Sequence, residues 1–181
     1  VTPTVTPNAI STPVPTIDPR YGVVANSTGG VRQTTTLGVS RYLDFTSTTS
    51  DIPSGTKKLL YLSTISPVPL AQINAAAAAA PGSTWYVTGE PNVNWVDPSS
   101  SVAYHDTYAA IKAADPTAKI TSPSILNFDF TCIGCGGYMS GHTWLDTYIS
   151  SYKAIYNTNP PVDYWAIDVY PIIWDAGQLP T

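Results

Sequence analysis

An α/β fold built on a parallel sheet is what this sequence predicts, on three observations. Short β-branched and aromatic runs alternate with helix-forming segments of about ten to fifteen residues, the order expected of βαβ units. The helical segments carry apolar residues at spacings that share one face, whereas the last strand run is apolar on both faces, as in a buried parallel strand. The breaks carry turn chemistry, with Pro81-Gly82, Asp97-Pro98 and Asp115-Pro116 closing successive elements.

The chain divides into a Pro/Thr-rich linker or docking arm at 1–20 and one domain at 21–181. In "VTPTVTPNAISTPVPTID" proline recurs among Thr and Val, which denies ladder hydrogen bonds and favours an extended, polyproline-like course. The alternation starts at residue 37. "LGVSRYLDF" (37–45) and "KLLYLSTI" (58–65) read as strands, "LAQINAAAAAA" (70–80) as a helix stopped by Pro81-Gly82, and "TWYVTGE" (84–90) as the next strand. A helix over 101–114 puts Tyr104, Tyr108 and Ile111 on one face. "AKITSPSIL" (118–126) is a fourth strand, followed by a Gly- and Cys-bearing loop at 127–141. A helix over 143–156 offers Trp144, Tyr148, Ile149, Tyr152 and Ile155 to the core, and "VDYWAIDVYP" (162–171) is a fifth strand.

Composition narrows the function classes. Charged residues are 11% of the chain and the net charge is −4, with eight Lys and Arg scattered singly. That offers no patch for phosphates, so neither nucleic acid nor an anionic membrane is an expected partner. No window reaches the roughly 18 apolar residues of a membrane span. The start at Val1, without methionine or a basic leader, fits either a recombinant boundary or a chain whose signal peptide is gone, and secretion is the expectation. Cys132 and Cys135 form a C-x-x-C among glycines, which can be a small loop disulfide, a redox pair or half of a zinc site. A zinc site needs about four ligands, and His105 and His142 are the only histidines. The disulfide is therefore expected first, with no metal and no cofactor.

Chemistry in parallel α/β folds gathers at the carboxyl ends of the strands. Glu90, the only glutamate of the chain, ends the run "TWYVTGE", and Asn92, Asp168 and Tyr170 lie at such ends too. Trp85, Tyr86 and Trp95 flank the glutamate and could wall it with apolar surface, which raises a carboxyl pKa toward the range useful for acid–base work. Trp95 and Trp174, near strand ends, are candidates for stacking on a ligand.

The stretches "PGSTWYVTGEPNVNW", "YHDTYAAIKAADPTAKITSPSI" and "PPVDYWAIDVYP" together resemble the clan A glycoside hydrolases, in particular bacterial secreted catalytic-core proteins. The match covers roughly residues 37–175. The resemblance implies a (β/α) TIM-barrel-like fold, incomplete here with about five to six βα units, and a general acid/base at Glu90. Gly89 stands where the family has asparagine, and Asp168 where it has histidine. The family's nucleophile lies on a seventh strand beyond these residues, so activity by this chain alone is not expected. Asp168 is the candidate second carboxylate, with Asp44 as another. Either could act as a nucleophile about 5–5.5 Å from Glu90, or as an inverting base about 6.5–9.5 Å away.

The expected function is a secreted or cell-surface glycoside hydrolase-like domain that acts on or binds a polysaccharide. Glu90 and Asp168 are its catalytic candidates, and Asn92, Trp95, Tyr170 and Trp174 its substrate-binding ones. The alternative is a self-assembling extracellular structural protein on an inactive hydrolase fold. In that case residues 1–18 and the open sheet edges would join copies into an oligomer or filament.

Overall fold

The computed structural model describes residues 19–25, 28–63, 67–94, 96–98, 101–128 and 138–169. Strands β1 (Gly22–Val24), β2 (Arg41–Leu43), β3 (Lys57–Leu62), β4 (Thr84–Val87) and β5 (Lys119–Ile120) form a parallel sheet in that order. β6 (Ile125–Leu126) pairs in parallel with β7 (Ile167–Asp168). Two parallel bridges, Gly89 to Ser124 and Thr121 to Tyr164, join the pair to the sheet. Residues 119–126 thus act as one strand interrupted around Pro123, which has no N–H to donate to a ladder. Strand order follows chain order without reversal. A doubly wound sheet reverses and carries helices on both faces, whereas this arrangement is that of a singly wound, barrel-type sheet.

The helices confirm the one-sided layering. α2 (Leu70–Ala79), α3 (Ser101–Ala114) and α4 (Gly141–Tyr156) bring Ile73 and Ala76, Tyr104 and Ile111, and Trp144, Tyr148 and Tyr152 into a single buried cluster. Facing them are Leu60, Leu62, Trp85, Val87 and Ile120 from the strands. Because strand side chains alternate between faces, their neighbours Leu59, Tyr61, Thr84 and Tyr86 face the other way, and these line the cavities of the inner face.

Sequence and structure agree on the helices at 70–80, 101–114 and 143–156 and place strands within 37–45, 58–65, 84–90 and 118–126; they differ at other points for identifiable reasons. β1 and α1 (Thr28–Leu37) precede the expected alternation. The helix reads "TGGVRQTTTL", rich in Gly and Thr, whose intrinsic helix propensity is poor, so packing rather than propensity forms it. The β2–β3 crossover, residues 44–56, has no helix, and its length is about the minimum for joining parallel neighbours. Within its described part, 162–169, the fifth expected strand is a bridge at Tyr164 and the short β7. Ile155, expected in the core, is 52% exposed near the end of α4.

α4 is seated by its first turn. Ser140 Oγ accepts from Thr143 N at 3.2 Å, the capping bond that a helix start requires. A Cβ on Gly141 would lie 2.6 Å from Asn127 O and 2.8 Å from Ile125 Cδ1, so only glycine lets the helix start so close to β6. No helix among the described residues is long and apolar enough to cross a membrane.

Candidate active site

Glu90 is placed by a turn that follows β4. Thr88 (φ 53°) and Glu90 (φ 47°) both lie in the left-handed region, a conformation that costs non-glycine residues roughly 1–3 kcal/mol each. Hydrogen bonds hold it there. Glu90 N donates to Ser124 O at 2.7 Å, while Glu90 O accepts from Val93 N (3.1 Å), Asn94 N (3.0 Å) and Asn94 Nδ2 (3.1 Å). Trp144 Nε1 donates to Val96 O at 2.8 Å and ties the end of the turn to α4.

Asn92 does not meet the expectation of a sugar contact. It is 2% exposed; its Nδ2 donates to Leu126 O and Met139 O, both at 3.0 Å, and its Oδ1 accepts from Leu126 N at 2.8 Å. Both donor hydrogens of the amide are engaged inside the chain. Asn92 is a clamp between the Glu90 turn and the end of β6.

Asp168, at the end of β7, comes to the same cavity as Glu90. Its Oδ2 accepts from Tyr86 OH at 2.7 Å, its Oδ1 from Ser124 Oγ at 2.9 Å, and its backbone oxygen from Asn127 N at 2.9 Å. Both acids are half-buried in a cavity of about 610 Å³, whose wall includes Phe45, Tyr61 and Tyr86 and whose lining has no lysine or arginine among the described residues. Burial raises the Glu90 carboxyl above its ordinary value, and the nearby Asp168 charge adds to the shift. Burial also pushes the Tyr86 hydroxyl far up, so it stays a donor to Asp168. An acid that keeps its proton to higher pH thus stands beside a carboxylate fixed by two hydroxyls, a pairing suited to proton transfer at a bound oxygen.

Asp44, the other carboxylate considered for the mouth, points away from it. It sits on the outer face against Lys58, whose Nζ lies 2.7 Å from the carboxylate and also donates to Thr46 Oγ1 (2.6 Å) and Thr48 O (2.7 Å). Where a helix would cover β3 in a regular βα unit, this loop covers it instead, and Lys58 is 5% exposed.

One feature of the mouth escaped the sequence reading, and a second was noted there only as a departure from the family motif. Phe45, taken as the end of a strand, lines the cavity at 44% exposure. Its ring meets Tyr61 (5.6 Å, 77°) and Tyr86 (6.4 Å, 81°) edge to face. Gly89 has no positive φ, and a Cβ there would stand in ordinary contact with Tyr86 and Tyr61 at 3.6–3.9 Å. The glycine is not required by the backbone; it leaves open space above the two tyrosine rings.

Trp95, Tyr170, Trp174, Cys132, Cys135 and the arm at 1–18 lie outside the described residues. His105 is more enclosed than an exposed helix position, stacking on Tyr156 (3.9 Å, 10°) with Nδ1 2.6 Å from Tyr152 OH. No group of three or more His, Cys, Asp or Glu that could hold a metal occurs among the described residues. The basic residues are less scattered than the sequence implies. Arg41, Lys57 and Lys119 line one cavity of about 340 Å³ at the opposite, amino-terminal rim of the sheet.

No family model and no curated protein matches the chain. Solved structures do. A GH128 (subgroup II) endo-beta-1,3-glucanase from Pseudomonas viridiflava superposes with a TM-score of 0.62 at 16% identity, covering 80% of this chain and 58% of that one. A GH128 (subgroup I) endo-beta-1,3-glucanase from Amycolatopsis mediterranei, in complex with laminaritriose, gives 0.51 at 18% identity over 81% and 54%. A subgroup II enzyme from Sorangium cellulosum gives 0.50 at 19% over 71% and 51%. The fold is thus similar to that of clan A TIM-barrel glycoside hydrolases, as the motifs implied, and the chain spans a little over half the length of the structures it matches.

Proposed function

We propose that this chain is part of a secreted, glycoside hydrolase-like barrel that binds a polysaccharide in the cavity at the carboxyl ends of its strands. Glu90 is its proton donor, and Asp168 is the second carboxylate of the site. One observation carries this reading: the only glutamate of the chain, its pKa raised by burial, shares an aromatic-walled cavity with an aspartate held by Tyr86 and Ser124. Aromatic faces suit the apolar side of a pyranose, and the carboxyl groups suit its hydroxyls and glycosidic oxygen. The fold's likeness to endo-beta-1,3-glucanases supports β-linked glucans as the first ligands to try.

The test is calorimetric titration with laminarihexaose, followed by product analysis by mass spectrometry. Binding with cleavage that Glu90→Gln abolishes supports the acid role; binding without cleavage keeps the glycan site and removes the catalytic claim. No binding to any β-glucan oligosaccharide removes the reading.

A second reading, self-assembly through the open inner face and edge, has one observation in its favour. Among the described residues, Val24 on β1 and Trp165, Ile167 and Val169 on or beside β7 are 45–69% exposed. Light scattering decides it, because a monomer of 19.3 kDa at high concentration would be incompatible with this reading.

A further inference from the structure

The helix-free β2–β3 crossover does two opposite things at once. On the outer face it wraps a buried ammonium. Asp44 Oδ1 accepts from Thr46 N and Thr46 Oγ1, both at 3.0 Å, so the aspartate closes a tight turn around residue 45. Lys58 Nζ fills the inside of that turn, donating to Asp44, Thr46 Oγ1 and Thr48 O, which uses all three of its hydrogens. Tyr61 N donates to Thr46 O at 3.0 Å and fastens the turn to β3. On the inner face, the same turn forces Phe45 to φ 57° and projects its ring into the mouth shared by Glu90 and Asp168.

A left-handed phenylalanine is a poor choice if a loop has only to turn, since glycine or asparagine adopts that conformation without strain. A large apolar ring left 44% exposed is equally poor if it has only to pack. Both make sense together if the ring must stand upright at this place. Its edge-to-face contacts with Tyr61 and Tyr86 brace it, and the ring stays 44% exposed in the same cavity lining as Gly89.

We propose that Phe45 is a stacking platform for one pyranose unit of a bound glycan, and that the Asp44–Lys58 pair behind the sheet is a positioning device that holds the ring upright. This rests on the glycan-binding reading of the same cavity.

The experiment is titration of the chain with laminarihexaose and with cellohexaose, followed by calorimetry and by the near-ultraviolet signal of the mouth aromatics. Phe45→Ala weakens binding roughly tenfold, the scale of one lost ring contact, whereas Phe45→Trp retains it. Thermal stability of Phe45→Ala stays close to that of the parent, because the ring is largely outside the core. Lys58→Met weakens binding as much as Phe45→Ala does, the double variant is no worse than either single one, and Lys58→Arg restores binding in part. Should Lys58→Met fail to fold, Asp44→Asn probes the same pair. If the parent binds and Phe45→Ala binds equally well, the platform is wrong and the glycan site stands. If a folded Lys58 or Asp44 variant binds like the parent, the positioning half is wrong. If the parent binds neither hexasaccharide, the glycan reading and this inference both fall.

Discussion

Asp163, just before the parallel bridge at Tyr164, and Glu90, in the turn after β4, are both partly buried carboxyl groups, and their surroundings drive them in opposite directions. Asp163, at the amino-terminal rim, accepts from Ile120 N (3.0 Å), Lys112 Nζ (3.1 Å) and Lys119 Nζ (3.1 Å). Burial alone would raise its pKa, but those hydrogen bonds and charges win and hold it below its ordinary value. Glu90, at the carboxyl-terminal mouth, has burial and the charge of Asp168 acting on it in the same direction, upward, in a cavity with no cation in its described lining. The short stretch from Asp163 to Asp168 spans the sheet from a rim built for stability to a mouth that keeps two acids close. The described lining of the mouth holds no lysine or arginine, so nothing there offsets the charge of the two acids, a pattern common at functional sites.

The largest effect expected would break the mouth while sparing the rim. Asn92→Ala leaves Leu126 N, Leu126 O and Met139 O without their partner in buried surroundings, a loss of about 3 kcal/mol by the usual penalty for unsatisfied groups. Urea denaturation measures it. A loss below about 1 kcal/mol would mean that water replaces the amide and that the clamp is not what holds the Glu90 turn.

The converse change breaks the rim. Asp163→Asn is expected to cost about 2 kcal/mol at neutral pH, mostly through Ile120 N and Lys112, because Lys119 is half exposed and its ion pair is worth little. Since the folded-state pKa of Asp163 lies below 3.8, its contribution is present above that value and lost as pH falls through the folded pKa. The cost of Asp163→Asn should therefore fade in acid. Ligand binding at the mouth should not change, and a change would show that the two ends are coupled.

How much of this contrast the sequence discloses depends on how far apart the partners lie. Glu90 is visible as the lone glutamate at the end of an aromatic strand, and α2 and α3 are visible because their apolar stripes and Pro stops are local. Asn92 reads as a polar residue beside an acid, and only the return of the chain at Leu126 and Met139 turns it into a buried clamp. Phe45 looks like a strand residue in "RYLDF" because the ammonium that bends the turn arrives from Lys58, on the next strand. The low propensity of "TGGVRQTTTL" hides α1, which contacts β2 in the fold. Local chemistry is legible; contacts that cross between strands are not.

Within the mouth, the two causes acting on Glu90 can be separated. Asp168→Asn keeps an oxygen that can accept from Tyr86 or Ser124 but removes the charge. The Glu90 carboxyl should then titrate at lower pH than in the parent, yet still above 4.5, because burial is the larger of the two causes. A carbon-detected NMR titration of the single glutamate reads this without ambiguity of assignment. A titration unmoved by the substitution would mean that the two acids are too far apart, or too well screened, to act as a pair.

The smallest effect is the one whose sign matters most. Because the folded-state pKa of Glu90 is raised above 4.5, the native protein binds that proton more tightly than the unfolded chain does. The resulting stabilisation is complete below pH 4.5 and is lost as pH rises through the folded value. At neutral pH the ionised glutamate is therefore a burden on the fold, and Glu90→Gln, which keeps the shape and removes the charge, should raise stability. The gain is limited to less than about 0.5 kcal/mol, since the group is only half-buried and solvent screens it. It should shrink as pH falls and vanish below 4.5, the mirror image of the Asp163→Asn series, whose loss fades in acid. Paired melting curves of the two variants across that pH range give two differences of opposite sign that converge on zero in acid. A Glu90→Gln variant that is less stable than the parent at neutral pH would place Glu90 among the structural carboxylates, beside Asp163, and would remove the physical ground for reading it as an acid held in readiness.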